Sequence, residues 1–242
     1  MDEKTEKLKR IINASQRLCV FSGAGISCPS GIPDFRSESG LYKAQSKFGY
    51  PPEQMLSHTF FKKHTELFFD FYRSSMVFPN AKPNKAHKYF SNLEKSGKNV
   101  TVITQNIDSL HTKAGSKNVI ELHGSVMRNY CEKCGKAFSL DHVLNHGGVP
   151  HCDCGGIIKP DVVLYEEPLD EKSVFRAVNA IENADTLIVI GTSLSVYPAA
   201  SYIRYFAGEN LILINKSETQ YDNLASLCIY DDIMNVIEKI EE

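Results

Sequence analysis

The residue types with the clearest chemistry are four cysteines, arranged as Cys131-x-x-Cys134 and Cys152-x-Cys154. Two short knuckles of this kind offer four thiolates to a soft tetrahedral ion, usually zinc. Four sulfurs leave zinc no open position for water, so the expected metal is structural. The second pair is tighter than the common C-x-x-C spacing, which leaves His151 open as an alternative ligand. Gly135, Gly155 and Gly156 suit the turns such knuckles need.

A second constellation suits a nucleotide. Gly23-Ala24-Gly25-Ile26-Ser27 follows an apolar run, as a phosphate-cradling turn follows a strand, and its glycines let backbone amides approach a pyrophosphate. The third glycine of the usual dinucleotide fingerprint falls on Cys28, and tight strand-to-helix turns need glycine even without a ligand. Pro29, Gly31 and Pro33 disfavour a regular helix and leave a stiff loop to present Asp34, Phe35 and Arg36. A ring beside a carboxylate and a guanidinium suits a cofactor with an aromatic base and phosphates. The plain alternative is an Asp–Arg pair at the surface.

Further along, Thr104-Gln105-Asn106-Ile107-Asp108-Ser109-Leu110-His111 also ends an apolar run. The Gln105 and Asn106 amides can each donate and accept toward a ribose or a carboxamide; Asp108 can accept from an amide or cap a helix. His123, in Leu122-His123-Gly124, carries an imidazole whose ordinary pKa of about 6.5 suits a general base, with a satisfied structural histidine as the other reading. Gly191-Thr192-Ser193-Leu194 and Asn215 add small polar groups for a ribose or adenine. Val162, Val163, Leu164 and Tyr165 look extended: they could pair with a substrate peptide through the backbone, or form a linker or edge strand.

The elements that must position these groups are legible from periodicity. Residues 3–15 read as a helix with Leu8, Ile11 and Ile12 on one face. Apolar runs at 17–21, 100–104, 119–122, 187–191, 211–215 and 227–230 read as buried strands. Patterns at 85–96, 174–183 and 198–206, and the closing set Ile233, Val236, Ile237 and Ile240, read as helices. Continuous apolar strands alternating with amphipathic helices predict an α/β fold, a parallel sheet with helices on both faces. Ligands of such sheets bind at the carboxyl ends of the strands, where the polar motifs above fall. Two insertions break the pattern: 37–79, with an aromatic-rich helical stretch at 60–72, and 129–159, with the cysteines. Together they are expected to make a small domain from a helical insert and a zinc-binding module. Residues 1–36, 80–128 and 160–242 would compose the large one.

Bulk properties narrow the classes. With 42% hydrophobic residues, the 242-residue chain can bury one large core and one small one. A net charge of -2 gives no bulk drive toward nucleic acid or anionic lipid. The run 187–190 is too short to span a bilayer, and the charged amino end lacks a leader's apolar segment, so a soluble cytoplasmic protein is expected. In that compartment clustered thiols favour metal over disulfide. Cys19 and Cys228, in apolar runs, read as buried inert thiols.

Taken together, Gly-Ala-Gly-Ile-Ser at 23–27, Gly-Ile-Pro-Asp-Phe-Arg-Ser at 31–37, Thr-Gln-Asn-Ile-Asp-x-Leu-His at 104–111, Glu-Leu-His-Gly at 121–124, the four cysteines and Gly-Thr-Ser-Leu at 191–194 resemble the sirtuins. The motifs keep the family's order and span nearly the whole chain. The resemblance implies an NAD-dependent protein-lysine deacetylase with a Rossmann-like, NAD-binding large domain and a structural zinc, acting on acetylated proteins or peptides that enter between the domains. By motif position, Gly23, Ala24, Gly25, Asp34, Phe35 and Arg36 would belong to the NAD-binding loop, and Gln105 would contact the nicotinamide ribose. Ile32, Asn106, Ile107 and Asp108 would surround the nicotinamide. Gly191, Thr192, Ser193, Asn215 and Cys228 would lie along the phosphate and adenosine end. His123 would be the general base, with Asn106 and Asp108 aiding nicotinamide departure. The implied products are lysine, nicotinamide and O-acetyl-ADP-ribose, with no hydride transfer.

Sirtuins that prefer succinyl or malonyl groups share a Tyr-x-x-Arg pair. The matching stretch here is Tyr72-Arg73-Ser74-Ser75, with Ser75 in place of the arginine. An uncompensated acyl carboxylate in an apolar channel is costly, so acetyl or longer neutral groups are expected, unless Arg73 substitutes. Rival readings are mono-ADP-ribosyl transfer, a longer-chain deacylase, a nucleotide sensor, and a zinc-ribbon nucleic-acid module. Glu132, Asp141 and Asp153 dilute the basic residues that the last would need.

Overall fold

The computed structural model describes residues 2–34 and 48–242. Its strands are β1 (Arg17–Ser22), β2 (Asn99–Thr104), β3 (Val119–Glu121), β4 (Gly124–Cys131), β5 (Ala137–Ser139), β6 (Ile158–Val162), β7 (Thr186–Ile190), β8 (Asn210–Asn215) and β9 (Leu227–Tyr230). Six pair in the order β3-β2-β1-β7-β8-β9, every pair parallel.

Alternation along the strands explains why this sheet is covered twice. In β1, Leu18 and Val20 join one core with Leu8, Ile12, Phe90, Ile188, Val236 and Ile237. Their neighbours Cys19 and Phe21 join the other, with Ala177, Ile181, Val189, Ile203 and Leu213. The first face is closed by helices Glu3–Ala14, Lys85–Lys95 and Ile233–Glu241, the second by helix Glu171–Glu182 and the 3-10 segment Ala199–Tyr205. Each of these four α-helices starts at an Asp or Asn whose side chain takes a first-turn amide: Asp2, Asn84, Asp170 and Asp232.

Strand order reverses at β1. From it the chain steps outward to β2 and β3, then resumes on the other side with β7, β8 and β9. The loops after β1 and β7 therefore flank the switch point, where open α/β sheets bind ligands.

The remaining strands form an antiparallel sheet, β5-β4-β6. It packs on helices His58–Lys63 and Thr65–Phe71 through one core holding Phe60, Phe61, Phe68, Phe69, Phe71 and Tyr72 together with Cys131, Cys152 and Ile158. The rings meet edge to face, with centroids 4.9 Å apart for Phe61–Phe68 and 5.4 Å for Phe68–Phe69. This is the small domain, helical insert and cysteine module sharing a core. The helix expected over 60–72 is broken: His64 leaves helical geometry (φ -133, ψ 48), and the Thr65 hydroxyl bonds the Phe61 carbonyl instead. Among the described residues no helix is long and apolar enough to cross a membrane.

Candidate active site

The glycines after β1 do a job the sequence did not reveal. The Gly25 amide donates to the Gly191 carbonyl at 2.8 Å, and a β-carbon on Gly23 would lie 2.6 Å from that of Thr192. Gly191 itself is left-handed (φ +64), and a β-carbon there would fall 2.5 Å from the Ile26 nitrogen. Gly23, Gly25 and Gly191 thus let the loops after β1 and β7 touch backbone to backbone. Two 3-10 turns, Ala24–Ile26 and Cys28–Ser30, carry the chain on to Ile32 and Asp34. Asp34 acts electrostatically on both Cys28 and Lys216, the residue that follows β8. Phe35 and Arg36 lie outside the described residues.

Beneath this loop a polar cluster gathers. The Asn106 amide donates to the Gly23 carbonyl and to the Ser27 hydroxyl, each at 3.1 Å. Ser27 in turn donates to Asp108 at 2.7 Å. The other Asp108 oxygen accepts the Leu110 amide at 2.8 Å, so Asp108 holds the first amide of the helix Leu110–Ala114 and faces the cluster at once. Burial raises its pKa, opposed by the Leu110 and Ser27 bonds. Behind Ser27 stand two buried imidazoles: His87, at 3.5 Å from the Ser27 hydroxyl, and His111, at 3.0 Å from Ser22. Their ring centroids are 4.8 Å apart.

His123 sits between β3 and β4. Its Nδ1 lies 2.8 Å from the Gln105 carbonyl, which can only accept, so Nδ1 carries the proton and Nε2 keeps its lone pair. Burial lowers the His123 pKa, partly offset by that hydrogen bond. Gly124 fixes the exit of the loop: its φ is +74, and a β-carbon would fall 1.9 Å from the Asp161 carbonyl oxygen. The Gln105 side chain donates to the Thr192 hydroxyl at 3.1 Å, and Asn215 donates to the Thr192 carbonyl at 3.0 Å. Groups at the ends of β1, β2, β3, β7 and β8 are thereby joined in one hydrogen-bonded set.

Other expected site residues lie at its margins. Ile107 accepts the Val126 amide at 3.0 Å and packs against the small-domain core. Ser193 is exposed, its hydroxyl 2.6 Å from that of Ser195. Cys228 stands mid-strand in β9, level with Leu213, with its thiol toward the Asp222 carbonyl at 3.8 Å. It is half-buried, not buried as its apolar surroundings suggested. In the 162–165 stretch Val162 pairs with Gly124, and Val163 donates to the His123 carbonyl at 3.0 Å. Tyr165 exchanges backbone bonds with Leu56 and His58 at 2.9 Å. Its amides are therefore spent, the carbonyls of Val162, Leu164 and Tyr165 are bonded as well, and the Val163 carbonyl is what it can offer a peptide.

The four cysteines converge, every Sγ within 4.8 Å of the others, with Cys131–Cys154 at 3.4 Å and Cys134–Cys152 at 3.7 Å. With zinc–sulfur bonds of about 2.3 Å, a tetrahedron needs sulfurs about 3.8 Å apart, so the set fits zinc. The Lys133 amide points to the Cys131 sulfur at 3.4 Å, as amides do toward thiolate. His151 is exposed and outside this group, which removes it as a substitute ligand.

The model of the Sir2 family matches residues 23–198, most of the chain and nearly all the motifs just placed. The chain belongs to the Sir2 family. Curated relatives named NAD-dependent protein deacetylase include one from Clostridium acetobutylicum, 59% identical over 98% of each chain, and one from Staphylococcus aureus, 46% identical over 99% of each. Among solved structures, a Sir2 with p53 peptide and NAD+ superposes with TM-score 0.85 at 38% identity, covering 98% of this chain and 96% of that one. A Sir2 bound to a propionylated peptide gives 0.86 at 37%, covering 98% and 97%.

Several residues of this sirtuin's polar cluster escaped the sequence reading. Ser27 bonds both Asn106 and Asp108, yet serine carries no distinctive signal in a glycine loop. His87 is visible only as the third residue after Asn84, where it closes a capping box. Glu121 accepts from Ser109 at 2.8 Å and from Arg128 at 2.7 Å, and Arg128 also reaches Asp161 at 2.6 Å. These bonds tie the end of β3 to β4 and β6.

Proposed function

We propose that this sirtuin is an NAD-dependent protein-lysine deacetylase that moves the acetyl group of acetyl-lysine to ADP-ribose and releases nicotinamide. The observation that carries this reading is the orientation of His123: proton on Nδ1 toward Gln105, Nε2 free to accept. A ribose hydroxyl beside that nitrogen would be deprotonated as it attacks the acyl-derived carbon.

The remaining roles follow from donor chemistry. Asn106 and Asp108, held by Ser27, can take a carboxamide as it leaves, since one offers an amide and the other a carboxylate. Gln105, fixed by Thr192, lies beside the base and suits a ribose. Gly23, Ala24, Gly25, Asp34, Gly191, Thr192, Ser193 and Asn215 would line the phosphates and adenosine, with Phe35 and Arg36 assigned by motif alone and Cys228 at the edge. Ile32 and Ile107 would wall the nicotinamide. Val162, Val163, Leu164 and Tyr165 would receive the peptide. Cys131, Cys134, Cys152 and Cys154 would hold zinc, which with four sulfurs serves as a structural staple.

The partition into residues 1–36, 80–128 and 160–242 against 37–79 and 129–159 is supported by the separate cores, with β4 and β6 straddling the border. For a cytoplasmic location, with no nucleic-acid or membrane partner, the support is the near-neutral net charge.

The test is nicotinamide release from NAD with and without an acetyl-lysine peptide, for wild type and His123→Ala. Release that needs the peptide and collapses in the variant is expected. Peptide-independent release would replace this reading with glycohydrolysis or ADP-ribosyl transfer.

A further inference from the structure

Lys159 and Glu167 form an ion pair that none of the roles above uses. The Lys159 ammonium, on β6, lies 3.0 Å from the Glu167 carboxylate and 3.0 Å from the Val162 carbonyl. The same Glu167 oxygen accepts the Leu164 amide at 2.9 Å, and its other oxygen meets His58 Nδ1 at 2.9 Å. Both charged side chains are largely buried, 17% and 18% exposed.

Burying such a pair gains little over apolar residues of the same size, so stability alone does not account for it. What apolar side chains cannot do is bond a carbonyl and an amide. The pair takes both from residues 162 and 164, on either side of Val163. In extended chain, successive residues turn their backbone groups to opposite edges, so Val163 must face the other way. It does: its amide meets the His123 carbonyl at 3.0 Å. Lys159 and Glu167 thus stand where a neighbouring strand would stand, and they hold the opposite edge of the stretch toward the base.

We propose that Lys159 and Glu167 are positioning residues for the acyl-lysine peptide: they fix Val163, whose amide is bound to His123, so that its carbonyl is left beside the base for the extended substrate chain. The proposal rests on the deacetylase reading, in which 162–165 receive the peptide. His58 reinforces it from outside, because its backbone amide also donates to the Tyr165 carbonyl at 2.9 Å. The stretch is therefore clamped at both ends, by side chains at one and by the helical insert at the other.

The experiment uses the full zinc-loaded chain and a fluorescent acetyl-lysine peptide, for wild type, Lys159→Met, Glu167→Gln and the double variant. Peptide Kd by anisotropy and both KM values are measured. The expected result is a rise of at least ~10-fold in peptide Kd and peptide KM, with the NAD KM changed less than ~2-fold. The double variant should be no worse than the more affected single, since one device is being broken twice. If the variants are less stable but their folded fraction keeps the wild-type peptide KM, the pair is merely structural and the proposal is overturned. A parallel rise in the NAD KM overturns it equally. If neither variant folds, His58→Ala, which removes only the half-exposed partner, should still weaken peptide binding by ~2–3-fold, and an unchanged Kd would overturn the proposal. Wild type that binds no acetyl-lysine peptide would sink the deacetylase reading itself. Peptide-dependent turnover with unaltered variants sinks the positioning role alone.

Discussion

Gly25 and Gly191 lie against each other with no room for a side chain on either: a β-carbon on Gly25 would come 2.8 Å from the Gly191 α-carbon. Gly191→Ala meets both this crowding and a left-handed backbone, and should cost about 2–4 kcal/mol and raise the NAD KM. Gly31→Ala is the control, because Gly31 is also left-handed but has nothing within 4 Å of a β-carbon. It should cost only about 1–2 kcal/mol. Urea unfolding of the two variants separates crowding from backbone strain; equal losses would deny the crowding.

With His123 as the proposed base, its protonation should set the acid limb of activity. Burial holds its folded pKa below the ordinary 6.5, and the base must be neutral to accept a proton. Activity should therefore be full at neutral pH and fall as pH drops through a midpoint below 6.5. The kcat/KM profile for an acetyl peptide reads this directly. A midpoint above 6.5 would point to another group.

His87 and His111 should make stability pH-dependent. Burial pushes His87 down to about 4, and His111 also lies well below 6.5 through burial, with His87 adding to the effect. Both stay neutral in the fold while the unfolded chain takes protons near 6.5. Their contribution is complete above 6.5 and is lost as pH falls from there toward 4, by up to about 1.4 kcal/mol per pH unit for each. Replacing both by Gln should flatten that slope in denaturant titrations across this window. An unaltered slope would assign it to other groups.

Much of this was legible in the sequence, and the reasons are specific. β7 is Thr-Leu-Ile-Val-Ile, buried throughout, and such a run has few readings besides a doubly covered strand. The cysteines and His123 are rare types in telling places. The break at His64 was hidden, because the aromatic run around it suits a straight helix equally well. The contact of Gly25 with Gly191 was hidden for a different reason: it joins distant loops, and a glycine that must touch backbone looks like one that must turn. The Lys159–Glu167 pair spans a turn with no period, so its spacing announces nothing.

Zinc removal should loosen the insert as well as the knuckles, since Cys131 and Cys152 share a core with Phe60, Phe68 and Tyr72. Chelation, or Cys152→Ser, should abolish the near-ultraviolet dichroism of these rings and lower the melting temperature. The metal contributes several kcal/mol to such modules. Rings that keep their spectrum after zinc release would show that the core stands without it.

Acidic acyl groups should be poor substrates. Arg73 is already engaged, donating to the Val143 and Gly148 carbonyls with its guanidinium over Phe69, so it is not available to replace the arginine absent at Ser75. The kcat/KM for a succinyl peptide should be at least ~100-fold below acetyl, equivalent to about 2.8 kcal/mol of unpaired charge. Propionyl should stay close to acetyl. Efficient desuccinylation that disappears in Arg73→Ala would reverse this assignment.

His123 occupies the point where the chain passes from β3 of the six-stranded sheet to β4 of the three-stranded one. It is held from both sides there, its Nδ1 by the Gln105 carbonyl after β2 and its own carbonyl by the Val163 amide after β6. A substitution that displaces either sheet should therefore reach the imidazole without touching it.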